Sequence, residues 1–277
     1  MTIQSAIYLA GNKRALYERI KPYITGYDTL VDLFTGSATV ALNAVSDGIC
    51  KEVYANDSLK VLIDLHKQLQ KHSFITRAEK CNKFYPKTLE GYIAMRDEYN
   101  SGNHTPELLL NLQYRSNSNY MRFNKSGEFN MTYGKRSCFN RERLEVHHKL
   151  CKDIKFTNLD FVDFIVKYVD ILPKESTVFY VDSPYINTIA PYNEQGGWTK
   201  ADNTRLSMSV LYLKLLGYKV VISNVFSNRG KINTEFQEWC EFNKEHFEVH
   251  HINHNYANSS FRKSNKVTDE VLLVSKN

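Results

Sequence analysis

The sequence predicts an α/β fold, because apolar strand-like runs alternate with helix-like patterns along most of its 277 residues. The first run, residues 28–34, is followed by a small-residue turn at 36–37 and a helical pattern over 38–46. The second run, 52–57, ends in an acid and precedes an amphipathic pattern over 59–71. Together they predict parallel strands connected through a helix.

Later strand signals extend the predicted sheet. They lie at 154–158, Thr177–Val181 and 219–223, and a helical pattern over 203–216 precedes the last of them. Two closing runs, FEVHHI and EVLLVS, predict a short antiparallel pair at the sheet edge.

The alternation of strands and helices stops between about residues 72 and 150. Helical patterns over 89–99 and 107–115 are followed by a polar and aromatic stretch with Ser126 and Gly127 at a predicted hairpin tip. These features predict that 72–150 is an inserted domain, and that 1–71 and 151–277 together form the sheet domain.

The composition is that of a globular protein, with 42% hydrophobic and 24% charged residues. No segment approaches the roughly 18 apolar residues of a membrane span, so we expect a cytoplasmic protein without a membrane partner. The net charge of +6 suits either an enzyme or a nucleic-acid binder. The bases, however, cluster with Tyr, Phe and Asn at 120–136 and 258–266, a pattern that favours phosphate contact and base stacking.

The five cysteines predict neither a disulfide framework nor a zinc site, because their number is odd and no C-x-x-C pair occurs. We expect reduced, packed thiols. His250 and His254 in a strand would be about 13 Å apart, too far to share one ion, so no metal is expected.

The tetrapeptide after the fourth strand has two interpretations. Asp182, Ser183, Pro184 and Tyr185 can form an ordinary turn. They can also form a catalytic loop, because open α/β sheets bind their ligands at the carboxyl ends of strands.

The turn after the first strand is a weak dinucleotide motif, since it has one glycine where three are typical. It remains a small-residue turn at a helix start, which lets the backbone approach a ligand closely. Asp57, at the end of the second strand, is either a ribose-binding carboxylate or part of the next helix N-cap region.

Several short words occur in one order along the chain: AGNK, DLFTGSA, AND, the basic-aromatic hairpin, LDF, DSPY, ISN and TDEV. This ordered set resembles the Dam-type (D12 class) DNA adenine-N6 methyltransferases, especially their compact bacteriophage members, over nearly the whole chain. The resemblance implies a Rossmann-like class I methyltransferase sheet in an S-adenosylmethionine-binding catalytic domain, 1–71 and 151–277. It also implies that 72–150 is a mostly helical DNA target-recognition domain carrying a β-hairpin.

Such enzymes act on double-stranded DNA with base flipping, use S-adenosylmethionine, need no metal and most often recognise GATC. The resemblance therefore implies an adenine-specific DNA methyltransferase of restriction-modification type, monomeric and located in the bacterial host cytoplasm. The catalytic residues it implies are Asp182, Ser183, Pro184 and Tyr185. The cofactor-binding residues it implies are Leu9, Gly11, Asn12, Lys13, Asp32, Phe34, Gly36, Ser37, Asp57, Asp160, Phe161 and Asp182. The DNA-binding residues it implies are Ser118, Asn119, Arg122, Asn124, Lys125, Tyr133, Lys135, Arg136, Arg262 and Lys263.

The adenine amine is a poor nucleophile because its lone pair is delocalised into the ring. Methyl transfer to N6 therefore needs hydrogen-bond acceptors for both of its N–H bonds. Asp182 can accept one, and a backbone carbonyl at Ser183 or Pro184 the other. Tyr185 either stacks on the extruded adenine or packs in the core. Arg122 either reads guanine through two hydrogen bonds or clamps a phosphate.

Three positions depart from the family pattern: Leu9 and Asn117 stand where an aromatic residue is common, and Ser183 replaces a proline. A catalytically weak or silent DNA-binding relative, and a methyltransferase acting on RNA or on a protein amide, are the alternatives. A nicotinamide oxidoreductase is disfavoured by the single-glycine turn.

Overall fold

A mixed sheet of eight strands organises the residues that the computed structural model describes, 2–135, 139–184, 197–228, 230–252 and 268–276. The strand order is β3-β2-β1-β4-β5-β8-β7, and β6 pairs with β5. The strands are β1 Thr29–Asp32, β2 Glu52–Asn56, β3 Lys155–Thr157, β4 Thr177–Val181, β5 Lys219–Asn228, β6 Lys231–Ile232, β7 Phe247–His251 and β8 Asp269–Ser275.

The first five strands of the order run parallel, with Asp32 of β1 opposite Ala55 of β2 and Tyr180 of β4. β8 is antiparallel to β5 and β7 is antiparallel to β8, so the predicted antiparallel pair is present with β7 at the edge. The order reverses between β1 and β4, which is the switch point where such sheets bind ligands. The predicted Rossmann-like α/β fold is confirmed.

Helices cover both faces of the sheet. The α-helices are α1 Tyr17–Ile24, α2 Thr39–Asp47, α3 Lys60–Leu69, α4 His72–Phe84, α5 Leu89–Asn100, α6 Pro106–Arg115, α7 Arg141–Cys151, α8 Phe161–Tyr168, α9 Lys200–Leu215 and α10 Thr234–Phe242. Successive strand residues point to opposite faces, so Leu30 of β1 packs in one core with α2 to α7, and Val31 packs in a second core with α8 to α10.

The helices of the predicted insertion share the first core. Phe74 of α4, Leu112 of α6 and Leu144 of α7 are buried in the same cluster as Leu42 and Leu65 from the sheet-covering helices. The hairpin turn predicted at Ser126 and Gly127 is present, since the Asn124 and Gly127 amides donate to the Glu128 and Asn124 carbonyls respectively. The division of the chain into two domains stays a prediction.

The structure differs from the sequence prediction mainly at element ends. β1 ends at Asp32, and the chain then turns before α2, where the Ala38 amide donates to the Thr35 carbonyl at 2.7 Å. β5 continues to Asn228. A bulge between Val225 and Ser227 interrupts its pairing with β8, and its last two residues pair with β6. Helices α8 and α10 were not predicted at all.

No helix among the described residues is long and apolar enough to cross a membrane. Four of the five cysteines are described, and each is a free thiol, Cys151 and Cys240 being buried.

Candidate active site

Three carboxylates meet at the carboxyl ends of the central strands. Asp32 is the last residue of β1, Asp57 follows β2, and Asp182 follows β4. Because these strands are parallel neighbours in the sheet, the acids converge at the switch point from positions far apart in the sequence.

The turn between β1 and α2 is held in shape by side chains from other elements. Gly36 has φ +49°, in the left-handed region, and an added Cβ would come within 3.3 Å of the Leu9 Cδ1 atom. Its amide donates to Asp57 Oδ2 at 2.9 Å, and its carbonyl accepts from His66 Nε2 at 2.8 Å. Glycine is therefore favoured here by its left-handed conformation, and a larger residue would also have to displace the Leu9 side chain by a few tenths of an ångström.

Asp57 also accepts a hydrogen bond from the Leu59 amide at 2.9 Å, at the start of α3. The N-cap position of α3 is Leu59, which has no side-chain cap, so both the helix-cap and the ribose-binding roles of Asp57 stay predictions. Burial raises the pKa of the Asp57 carboxyl.

Asp32 is 2% exposed, and its Oδ2 accepts from Thr35 Oγ1 at 3.0 Å. Burial raises the pKa of this carboxyl to about 7, and the negative charges of Asp182 and Asp57 add to the shift. A cation placed beside Asp32 would favour its ionised form.

Asn56, which sequence reasoning did not single out, ties three strand ends together. Its side-chain amide donates to the Leu33 and Leu159 carbonyls at 3.3 and 3.0 Å. Its Oδ1 accepts from Thr157 Oγ1 at 2.8 Å and from the Leu159 amide at 3.1 Å. The only signal in the sequence was its place beside Asp57 in the word AND.

The N-terminal motif reaches the tetrapeptide through a buried ion pair. Lys13 Nζ lies 2.7 Å from Asp182 Oδ1, and the two side chains are 8% and 19% exposed. Lys13 Nζ also donates to the Gly11 carbonyl at 3.1 Å. Asn12 starts the short helix Lys13–Ala15 by accepting from the Arg14 amide, which orients the lysine towards β4.

The tetrapeptide itself is only partly described. Ser183 is buried at 4% exposure, whereas Asp182 and Pro184 are half-buried. Tyr185 lies outside the described residues.

An aromatic pocket adjoins these acids. Phe34, Phe161 and Trp198 surround it, with ring centroids 5.5 to 5.8 Å apart. The cavity holds about 170 Å³ and is lined by Phe34, Asn56, Ser58, Leu159, Asp160, Phe161, Gly197, Trp198 and Asp202. Trp198 was not predicted; its indole N–H is buried and has no hydrogen-bond partner among the described residues.

Asp160 is fixed beside this pocket. It caps α8 by accepting from the Val162 amide at 2.9 Å, and Arg205 Nη2 lies 2.5 Å from the same Oδ1. The Arg205 guanidinium also lies 4.9 Å from the Phe161 ring centroid. Arg205 comes from α9, and nothing in the sequence indicated that it would reach Asp160.

The hairpin between Ser116 and Gly134 carries most of the predicted DNA-binding residues. Ser118 and Asn119 both have φ +56°, a left-handed conformation that costs about 1–3 kcal/mol for a residue with a side chain. Arg122 Nε donates to Asn130 Oδ1 at 2.8 Å and its Nη2 to the Asn130 carbonyl at 3.3 Å. The guanidinium is therefore oriented across the hairpin.

Other predicted DNA-binding residues have structural contacts or lie elsewhere. The Asn124 side chain builds the hairpin tip by accepting from the Ser126 and Glu128 amides. The Tyr133 hydroxyl donates to the Lys87 carbonyl at 3.1 Å. Lys125 and Lys135 are exposed. Arg136, Arg262 and Lys263 lie outside the described residues.

The aromatic residue next to Leu9 does not face the glycine turn. The Tyr8 ring packs edge-on against Tyr114 of α6 at 5.8 Å and under the Arg143 guanidinium at 5.1 Å. Within the described ranges, no three His, Cys, Asp or Glu side chains converge as metal ligands would.

Comparison with known proteins adds the family. Residues 9–258 match the family described as D12 class N6 adenine-specific DNA methyltransferase. The type II methyltransferase M.FokI of Planomicrobium okeanokoites and the modification methylase StsI of Streptococcus sanguinis are each 27% identical over 98% of this chain. The DNA N-6-adenine-methyltransferase of Escherichia phage P1 is 30% identical over 78% of the chain and 29% of its own length. This chain spans 43% of the length of the first two relatives.

Solved structures give weaker likenesses. Precorrin 8W decarboxylase of Methanobacterium thermoautotrophicum has a TM-score of 0.47 at 11% identity, over 97% of this chain and 94% of that one. The rRNA methyltransferase aviRa of Streptomyces viridochromogenes has a TM-score of 0.44 at 13% identity, over 99% and 88%. Nothing about function follows from scores this low.

Proposed function

The chain belongs to the D12 class N6 adenine-specific DNA methyltransferase family, and from this premise we propose that it methylates N6 of adenine in duplex DNA. S-adenosylmethionine is the proposed donor, and GATC or a related short site the proposed target. The proposal rests on the buried Lys13–Asp182 pair. This pair joins the N-terminal AGNK motif to the proposed catalytic tetrapeptide at the sheet switch point.

The described residues fit S-adenosylmethionine. Gly36 leaves room for close backbone approach, the cavity beside Phe34, Phe161 and Trp198 offers aromatic surface and polar groups to a purine, and the buried Trp198 N–H lacks a partner among the described residues. We assign Asp57 to the ribose hydroxyls and Asp32 to the amino-acid ammonium, which would stabilise its ionised form. Bound S-adenosylmethionine would supply a methyl group from a positively charged sulfur and leave as S-adenosylhomocysteine, while the proton that the adenine amine loses would be released to solvent.

The role of the tetrapeptide is to orient the amine. Lys13 holds Asp182 through Oδ1 at 2.7 Å, so the carboxylate has a fixed direction before adenine arrives. We propose that the second carboxylate oxygen accepts one N–H of the amine and a carbonyl of Ser183 or Pro184 accepts the other. These two hydrogen bonds localise the nitrogen lone pair of the amine and direct it away from the carboxylate, so the amine is oriented for attack on the methyl group.

The DNA side of the proposal rests on the 72–150 segment. Ser118 and Asn119 both have a left-handed backbone conformation, and strained residues of this type are concentrated at functional sites. The Arg122 guanidinium is already oriented by its hydrogen bond to Asn130. We propose that Arg122 contacts a guanine edge and that exposed Lys125 and Lys135 contact phosphates. Extrusion of the adenine, with stacking on Tyr185, completes the proposal.

A methyl-transfer assay tests it. The purified protein is incubated with methyl-labelled S-adenosylmethionine and duplex DNA, and modified bases are mapped by sequencing. We expect label at adenine N6, reduced at least about 100-fold in Asp182→Ala and unchanged in Asp153→Ala, an exposed aspartate before β3. Label at cytosine, in RNA alone or on protein would contradict the proposal.

A further inference from the structure

Two buried histidines lie behind the glycine turn, and the proposed mechanism does not use them. His66 of α3 and His147 of α7 are both fully buried. The Nδ1 atom of His66 lies 3.4 Å from the Nε2 atom of His147. His66 Nε2 lies 2.8 Å from the Gly36 carbonyl oxygen, and His147 Nδ1 lies 3.2 Å from the Ala6 amide. The pair thus links the N-terminal segment to the turn that follows β1.

These contacts form a series from Gly36 through His66 and His147 to Ala6. The two end contacts determine which ring nitrogens carry the protons. The Gly36 carbonyl can only accept, so His66 carries its proton on Nε2 and presents a bare Nδ1. The Ala6 amide can only donate, so His147 has a bare Nδ1 and carries its proton on Nε2. The middle contact then joins a donor on His147 to an acceptor on His66, so both end constraints agree with one set of neutral tautomers.

The surroundings keep this arrangement in place. The Phe156 ring of β3 lies parallel to the His66 ring, with centroids 4.7 Å apart and 6° between planes. Burial lowers the pKa of His66 to about 4 and that of His147 well below its usual range, so both rings are neutral near pH 7.

Gly36 is consequently held from both sides. Asp57 Oδ2 accepts from its amide at 2.9 Å, and His66 donates to its carbonyl at 2.8 Å. A glycine at φ +49° has more conformational freedom than any other residue, so two opposed side-chain hydrogen bonds select one conformation of the turn. His147 belongs to α7, so this selection also depends on a helix that follows the predicted DNA-binding hairpin.

We propose that His66 and His147 are positioning residues that hold the Gly36 turn in its cofactor-binding conformation. The inference rests on the proposed function, since it assumes that S-adenosylmethionine binds at this turn. Their action is on cofactor affinity, because neither histidine reaches the Lys13–Asp182 pair that orients the amine.

The test compares three variants. His66→Phe keeps an aromatic ring against Phe156 and removes the hydrogen bonds, whereas His66→Gln places a side-chain N–H near the position of Nε2. His148→Phe is the matched control, because His148 is also a buried α7 imidazole, at 8% exposure, whose Nδ1 donates to the Leu69 carbonyl 2.9 Å away. The measurements are the Kd for S-adenosylhomocysteine by calorimetry, KM for S-adenosylmethionine, kcat, and the Kd for duplex DNA.

For His66→Phe we expect the S-adenosylhomocysteine Kd and the S-adenosylmethionine KM to rise about tenfold, with kcat and DNA Kd within about twofold of wild type. His66→Gln should recover most of the cofactor affinity, and His148→Phe should leave it unchanged. A cofactor Kd unchanged in both His66 variants, or raised as much in His148→Phe, would overturn the inference and make the pair ordinary core packing. If His66→Phe does not fold, His147→Phe takes its place, and the same rise in the S-adenosylhomocysteine Kd is expected because His66 Nδ1 then loses its donor. Should wild-type protein fail to bind S-adenosylhomocysteine, the proposed function falls as well; should wild type bind and the variants match it, only this inference falls.

Discussion

Replacing Lys13 by methionine should weaken the fold far more than breaking an ordinary surface ion pair. The methionine keeps most of the side-chain length and removes the charge, so Asp182 loses the Lys13 ammonium in a site where its side chain is 19% exposed. Burial is the main cause of the raised pKa of Asp32, and the negative charge of Asp182 adds to it, so the two carboxylates repel when both are ionised. An uncompensated buried charge typically costs about 3–5 kcal/mol.

The chain provides a control of the same chemistry at higher exposure. Lys21 and Asp47 form a pair at 2.8 Å, close to the 2.7 Å of Lys13 and Asp182, but their side chains are 36% and 31% exposed. Exposed pairs contribute about 0–1 kcal/mol. The structure therefore predicts a difference of at least about 2 kcal/mol between the two sites.

Double-mutant cycles measure the pairwise part of this difference, which is smaller because removing one partner also carries the penalty of leaving the other charge buried. Urea unfolding at pH 8 without cofactor gives the free energies for Lys13→Met, Asp182→Asn and the double variant, and for the corresponding Lys21 and Asp47 set. We expect a coupling energy of about 2–3 kcal/mol for the first cycle and below about 1 kcal/mol for the second. Equal coupling in the two cycles would refute the reasoning, because burial would then not govern the strength of the Lys13–Asp182 pair.

Three further predictions concern the same site and the hairpin. If the tetrapeptide works through Asp182 and backbone carbonyls, Ser183→Ala should be nearly silent in single-turnover methylation, and Ser183→Pro should keep full activity and gain about 0.4–1 kcal/mol of stability. A loss in Ser183→Ala as large as in Asp182→Ala would show that the hydroxyl itself takes part. The pKa of Asp32 rises from 3.8 to about 7 on folding, so the wild-type protein loses stability as pH increases from about 4 to about 7. Asp32→Asn cannot ionise and does not show this loss. In urea titrations, the unfolding free energy of wild type relative to the variant should therefore fall by about 4 kcal/mol between pH 4 and pH 8. Arg122→Ala should lose about 1–3 kcal/mol of discrimination at one base pair, measured by competition between sites; uniform weakening with a salt slope reduced by about one would instead identify a phosphate contact.

Local patterns predicted the central sheet well because its strands are buried on both faces. The bounds of β4, Thr177–Val181, coincide with the apolar run in the sequence, and every residue of that strand is buried. β5 was predicted too short, since Ser223 and Asn224 interrupt its apolar run, although the strand continues through buried Val225 and pairs with β6 at Ser227 and Asn228. Helix α10 was missed because its apolar positions are few and partly exposed.

The candidate site was predictable as a set of residues but not as a set of contacts. The ordered motifs placed Lys13 and Asp182 in one site, yet their direct pairing depends on how the N-terminal segment packs against β4. Arg205 and Trp198 carry no local signal, because each reaches the aromatic pocket from a distant part of the chain. His66 and His147 likewise occupy ordinary helical positions in the sequence, and only tertiary packing brings their rings together.

The closed base of the hairpin has a consequence for redesign of the protein. The Asn117 amide donates to the Thr132 carbonyl at 2.8 Å, and the Gly134 amide donates to the Arg115 carbonyl at 2.7 Å. A Cβ added at Gly134 would lie 2.6 Å from the Ser116 carbonyl oxygen. The segment between Ser116 and Gly134 thus has two ends that already touch, but Phe123 and Phe129 are buried in the same core as the helices. A replacement loop must therefore supply apolar side chains at those places and keep glycine at the closing position. Helices α4, α6 and α7 cannot travel with such a graft, because their buried faces belong to the core that supports the sheet.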